Sequence, residues 1–244
     1  MKLWLRVLPL LAALLAACSR PSPVDKVVAS NLAARGGRDK IKALRSIRET
    51  GTVTVTGSGG RVAKVVREIK RPGMFRLEFT YQGTKSVFAN DGTTGWQVAP
   101  MQGQFEPKEM APEADSAAGV DQRDIEGPLV DWREKGHVVE LLGRERLPGG
   151  EAFKLKVTLK GGAIRTDYVD VASHQVVRSD VTRTVRGHKV EVESTFSDFR
   201  NEGGLVFPHL IESHVKDRPQ VIRIAVEKVE LDPDLDDARF KFPK

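Results

Sequence analysis

The chain has 244 residues, of which 30% are charged and only 6% aromatic, with one cysteine and a formal net charge of +6. That length bounds it to one sizeable domain or two small ones, built around Val, Leu and Ile rather than aromatic rings. A lone cysteine excludes an internal disulfide, and a mild basic excess without a basic run or RNA-binding motif excludes nucleic acid as a partner and reads as a solvated mixed-charge surface.

Lys2 and Arg6 give a positive start, and Val7 to Leu15 form a short apolar run that ends in Ala16-Ala17. Residues 1–17 therefore read as a secretory signal peptide, too short for a spanning helix of about 20 apolar residues. The two basic residues leave with it, so the mature excess of positive charge is smaller. An unpaired thiol is a liability in an oxidising compartment, so the sulfur of Cys18 needs another use. Leu15-Ala16-Ala17-Cys18 resembles the bacterial lipobox. That resemblance implies that Cys18 becomes the first mature residue and carries acyl chains, each buried methylene contributing about 0.8 kcal/mol to membrane attachment. Ser19 stands where an Asp would imply retention at the inner membrane. The implied location is the outer membrane of a Gram-negative bacterium, with the lipid-anchored domain facing the periplasm.

Residues 18–23, with Pro21 and Pro23, read as a lipidated tether, and the domain spans 24–244. Val27, Val28, Leu32, Ile41, Leu44 and Ile47 follow helical spacing, interrupted at Gly36-Gly37, which predicts two short helices. From Ile47 onward the period changes to two. Val53 and Val55 alternate with threonines, and Phe75, Leu77, Phe79 and Tyr81 alternate with Arg76, Glu78 and Thr80, as half-buried strands do. Turn signals recur between such runs, at Gly59-Gly60, Asn90-Asp91-Gly92, Gly149-Gly150, Gly161-Gly162 and Gly203-Gly204, and short hairpin turns make neighbouring strands antiparallel. The segment Pro100 to Gly136 has little alternation and reads as a loop followed by one or two helices, Pro128 starting or kinking the second. Further strand-like runs follow from Val138 to Leu231.

The predicted fold class is α+β and mainly antiparallel β: an unclosed half-barrel of roughly ten or eleven strands with helices covering the concave face. At this point four strings acquire a family likeness. IRETGTVTV, FANDGTTGWQVAP, FSDFRNEGGLVFPHLIES and VEKVELDPDLDDARFKFP resemble the outer-membrane lipoprotein-sorting proteins of the LolA/LolB-like superfamily, over about Val24 to Lys244. The resemblance implies an open barrel with a helical lid and an apolar cavity that takes acyl chains. It carries over neither the gating arginine of the soluble carrier nor the protruding apolar loop of the outer-membrane acceptor.

Candidate lining for such a cavity is Phe75, Leu77, Phe79 and Tyr81 on one strand face, with Trp96, Val157, Leu159, Ile222 and Ile224 on the same grounds. Lipid recognition needs apolar area more than directional bonds. The same side chains would equally serve as core beneath the lid. Met101, Phe105 and Met110 are candidates for a mobile entrance, since flexible methionines adapt to different chains, or for pinning a loop. Asp232, Asp234, Asp236 and Asp237 lack the EF-hand glycine and late Glu, and read as a turn at Pro233 with Asp236 capping a helical turn over Ala238 to Phe240. His137, His174, His188, His209 and His214 include no H-E-x-x-H or close Cys/His grouping, and no nucleophile elbow or P-loop occurs. No metal, cofactor or catalytic residue is expected, and the chain reads as a non-enzyme.

The functional expectation is a lipid-anchored periplasmic binding protein that holds acyl chains of a lipoprotein or a phospholipid in lipoprotein sorting to the outer membrane. Its partners would be the membrane, through Cys18, and a periplasmic carrier or inner-membrane transport machinery. The alternative is an envelope sensor or scaffold lipoprotein that binds another protein through the same fold.

Overall fold

The computed structural model describes residues 21–57, 60–110, 123–185 and 188–243. The signal peptide and Cys18 lie outside the described residues. The first helix, α1 (Pro23–Ala34), starts where the tether was expected to end: Ser22 accepts from the backbone N–H of Asp25, whose carboxylate accepts from the N–H of Ser22 in return. This capping box, with Pro23 in the first turn, satisfies donors that a helix start leaves open. Two of the residues read as tether or its margin, Pro23 and Val24, are thus helical. Gly36 and Gly37 separate α1 from α2 (Arg38–Ala43) as the spacing predicted.

Thirteen described strands form one antiparallel sheet. The first six are β1 (Ser46–Val55), β2 (Val62–Lys70), β3 (Met74–Tyr81), β4 (Thr84–Asn90), β5 (Gly95–Ala99) and β6 (Gln104–Glu109). The rest are β7 (Val138–Leu147), β8 (Gly150–Thr158), β9 (Ile164–Asp170), β10 (Val176–Val185), β11 (His188–Glu202), β12 (Leu205–Val215) and β13 (Val221–Leu231). Each half is a meander, and the halves meet where β1 pairs with β13, Ile47 opposite Leu231. The outermost strands, β6 and β7, do not pair with each other, so the barrel stays open.

Two strands exceed the ten or eleven expected. β2 carries apolar residues on both faces (Val62, Ala63, Val65, Val66, Ile69), which hid its alternation; β6 is polar and contains Pro107, tolerated because β6 is an edge strand. Of the one or two helices expected between Pro100 and Gly136, the one at Pro128 is absent, since described residues 123–136 contain turns and no α-helix; residues 111–122 lie outside the described residues. Gly127 (φ 79°) and Asp131 (φ 48°) take the left-handed conformation on either side of Pro128, which breaks any right-handed run. The segment still covers the sheet, with Ile125, Leu129 and Val130 buried.

The main core lies between these covering elements and the concave face. Val27, Val28 and Leu32 of α1 and Ile41 of α2 join Val139, Leu155, Val157 and Val169 from the β7–β9 end and Ile47, Ile69 and Phe75 from the other half. Each such side chain stabilises the fold by roughly 1.5–3 kcal/mol. On the opposite face, residues after β13 strap the first meander. Asp232 Oδ1 accepts from the N–H groups of Arg45 and Ser46, Asp236 caps a 3-10 turn (Asp237–Arg239) as the sequence predicted, and Asp237 pairs with Lys70. Phe240 is fully buried and its carbonyl accepts from Trp96 Nε1 at 2.8 Å. Glu68, 1% exposed, takes hydrogen bonds from Arg48 Nε and from both Nε and Nη2 of Arg239.

Candidate functional site

The period of two sends alternate residues of each strand to the concave side. There they leave a cavity of about 420 Å³. Ile47 and Glu49 of β1, Val65, Arg67 and Ile69 of β2 and Leu77 of β3 form one wall. Phe196 of β11, Ile211 of β12 and Ile224 and Val226 of β13 form the apolar part of the other. The polar part comes from Arg165, Asp167, Ser179 and Ser194. Asn31 and Arg35 of α1 and the turns from Asp124 to Leu129 roof it. Gly51 lies at a bulge between β1 and β13, where a Cβ would stand 2.0 Å from the carbonyl oxygen of Ala225. Only glycine lets the two strands approach so closely beside the cavity.

The lining is mixed rather than uniformly apolar, and its charges are organised. Arg67 donates to Glu49 through Nε and Nη2, both at 2.7 Å. Burial works to lower the Arg67 guanidinium, but the facing Glu49 carboxylate outweighs it and the net shift is upward. Arg165 donates to Asp167 Oδ1 through Nε at 2.9 Å, and Ser179 Oγ donates to the same oxygen at 2.8 Å. In the roof, Lys135 holds both Asp124 and Glu126, and Arg71 reaches Glu126 at 2.6 Å. Burial pushes the Glu126 carboxyl up, and Lys135 and Arg71 together pull it below its usual range. Arg35, the C-cap of α1, is fixed by its backbone: its N–H donates to Asn31 O and its carbonyl accepts from Val206 N. No hydrogen bond or ion pair involves its guanidinium among the described residues.

The sequence matches no protein-family model and no curated protein. Solved structures do match. A LolA superfamily protein from Nitrosomonas europaea superposes with a TM-score of 0.59 at 14% identity, over 87% of this chain and 96% of that one. A DUF1329 family protein from Desulfovibrio piger gives 0.61 at 16% identity, over 90% and 98%. A putative outer membrane lipoprotein-sorting protein domain from Vibrio parahaemolyticus gives 0.52 at 12% identity, over 88% and 94%. This chain has the LolA/LolB-like fold.

Within that fold, the side chains singled out from sequence separate into distinct places. Leu77 and Ile224 line the cavity. Phe75 and Val157 are buried in the main core, and Leu159 packs at its margin. Phe79 is half-buried, edge-on to Phe88 with centroids 6.3 Å apart, and Tyr81 is half-buried near the strand end. Trp96 lies on the other side of the sheet: it pairs with Ala89, which pairs with Arg76, and its indole serves the C-terminal strap. Ile222 is 45% exposed. Met101 and Phe105 are exposed beside the β6 edge, Phe105 at 71%, and Met110 is tied by its N–H to Gly95 O; none of the three lines the cavity.

Sequence reasoning missed the charged lining. The signal was present as charges on apolar parity, in Ile47-x-Glu49-x-Gly51 and Val65-x-Arg67-x-Ile69, because a residue two away from buried neighbours shares their face. Arg35 follows the helix and carried no such periodic cue.

Proposed function

We propose that this chain is a lipid-anchored envelope protein that binds acyl chains in the concave cavity, in the sorting or transport of lipoproteins or lipids. The observation that carries the reading is the cavity itself, open space on the covered face of a LolA/LolB-like sheet with an apolar wall of Val65, Leu77, Phe196, Ile211 and Ile224. Its volume falls within the roughly 300–1,000 Å³ range of small-molecule sites, which suits one chain segment at a time. Binding is noncovalent: the chain exchanges water for apolar side chains, and release follows when a membrane offers equal burial. Cys18 supplies the anchor, which would hold the site close to the membrane and raise its effective concentration there. The mechanism asks for no bond-making group, and the protein acts as a non-enzyme.

Native mass spectrometry of the full chain released from non-ionic detergent tests this. The expected result is a co-purified or added acyl adduct whose occupancy falls at least tenfold in Leu77→Glu and Ile224→Glu, with circular dichroism unchanged. A wild-type chain that takes up no acyl ligand overturns it and leaves a protein-binding scaffold as the better reading.

A further inference from the structure

Resting on the acyl-binding reading above, we infer that the cavity takes an amphiphile with an anionic head, whose charged oxygens are held by Arg35 and whose neighbouring hydrogen-bond donor reaches Asn31. Three arginines line the cavity. Arg67 is held by Glu49 and Arg165 by Asp167 and Ser179. Arg35 alone among them has no carboxylate at ion-pair distance among the described residues. Arg35 is half-buried; a guanidinium partly withdrawn from water without an anion is costly, and an incoming phosphate or carboxylate removes that cost through bidentate, charge-assisted hydrogen bonds.

The surrounding carboxylates do not take this role. Asp124, Asp167 and Glu126 are close enough to favour the charged guanidinium, yet burial remains the dominant influence and lowers it. Each of the three is engaged elsewhere: Asp124 by Lys135, Asp167 by Arg165 and Ser179, Glu126 by Arg71 and Lys135. Their charge is compensated locally, so they leave Arg35 as the residual positive end of the cavity.

A second, independent feature points to a ligand at the same end. Asn31 is fully buried and one helical turn before Arg35, hence on the same face of α1. Its Nδ2 donates to the carbonyl of His174 at 2.8 Å, while its Oδ1 has no hydrogen-bond partner. A buried acceptor left open is rare and asks for a donor. Both side chains line the cavity, and Gln175 fixes the end of α1 above them by donating to Ala34 O. The Arg35 guanidinium lies beside Gly127 in the roof, Nη1 being 3.7 Å from where a Cβ on that residue would stand. An anionic oxygen with a hydroxyl or amide N–H beside it, as in a glycerophosphate head, satisfies both groups. Its chain then lies against Leu77, Phe196 and Ile224.

The test is native mass spectrometry of the full chain in non-ionic detergent with four probes: palmitoyl lysophosphatidate, palmitate, monopalmitoylglycerol and glycerol 3-phosphate. The expected order is lysophosphatidate first, palmitate next, and monopalmitoylglycerol at least tenfold weaker than lysophosphatidate, with glycerol 3-phosphate weaker still. Arg35→Gln should erase the preference for the anionic probes and leave the ligand-free melting temperature equal to or above that of the wild type, since it removes an uncompensated charge, and Arg35→Lys should restore part of the preference. Equal occupancy by lysophosphatidate and monopalmitoylglycerol overturns the anionic-head inference but keeps the acyl reading. Equal occupancy by palmitate and lysophosphatidate removes the donor to Asn31. Binding of glycerol 3-phosphate as tight as lysophosphatidate shows a head site without a chain site, and no adduct with any acylated probe overturns the acyl reading itself.

Discussion

The Glu49–Arg67 pair on the cavity wall offers a worked test of how its charges are held. Its side chains are 11% and 28% exposed, so it sits between a buried and a surface ion pair. Breaking a buried pair costs about 3–5 kcal/mol and losing a surface pair about 0–1, which places Glu49→Met or Arg67→Met at about 2–3 kcal/mol. At about 2–4 °C per kcal/mol for a domain of this size, the melting temperature should fall by about 4–12 °C. The double variant, with methionine at both positions, removes both charges and keeps apolar volume, so it should lie within about 1 kcal/mol of the wild type. Equilibrium urea unfolding of all four proteins, followed by circular dichroism, gives the coupling directly. Single variants that cost less than about 1 kcal/mol each, with a double equal to their sum, would show that the bidentate contact does not act as a desolvated pair.

Three further outcomes follow from the fold. Phe240→Ala empties a fully buried site in the strap and should cost about 3–5 kcal/mol, with earlier proteolytic release of the C-terminal residues and altered fluorescence, Trp96 being bonded to the Phe240 carbonyl. Gly51→Ala puts a methyl 2.0 Å from Ala225 O and should cost more than the usual 1–3 kcal/mol of overpacking, seen as loss of soluble protein or a large drop in urea midpoint. Asp25 is held at about 2, below the usual 3.8, first by Arg133 and then by Ser22. A carboxyl lowered in the folded state stabilises above its unfolded value and loses that contribution as pH falls toward 2. The melting-temperature gap between wild type and Asp25→Asn should therefore be constant above pH 5 and close between about pH 4 and 2; a gap that persists at pH 2 refutes the assignment.

The sheet was legible where one face is wet and the other dry. Alternation located β3 and most later strands, and Gly203-Gly204 marked the β11–β12 hairpin because a two-residue turn has few chemistries open to it. β2 was obscured by apolar residues at Val62 and Val66, on the face turned away from the main core, which the C-terminal strap and its ion pairs cover at Glu68 while Val62 stays exposed. That second covered face also explains Trp96: the sequence showed an apolar ring, but not which of two dry faces it served. Leu77 and Ile224 reached the cavity because they share parity with its floor. The polar half of the lining escaped because Arg, Asp and Glu in strands are ordinarily solvent-facing, and the apolar residues on either side of Glu49 and Arg67 were the only clue that these face inward.

The pairing of β1 with β13 joins the first described strand to the last, Ile47 to Leu231, and every other pair among the described strands is between neighbours in sequence. Local hairpins close cheaply, whereas this seam must wait for both meanders, since long loops are slow to close. During synthesis β1 presents an unsatisfied edge until nearly the whole chain has emerged, a state prone to wrong pairings. Ile47, Glu49, Ile224 and Val226 flank that seam and also line the cavity. The site is thus assembled by the last strand pairing the sheet can make, and an occupant that bridges it would act as a clasp, slowing separation of the two halves as well as filling the space between them.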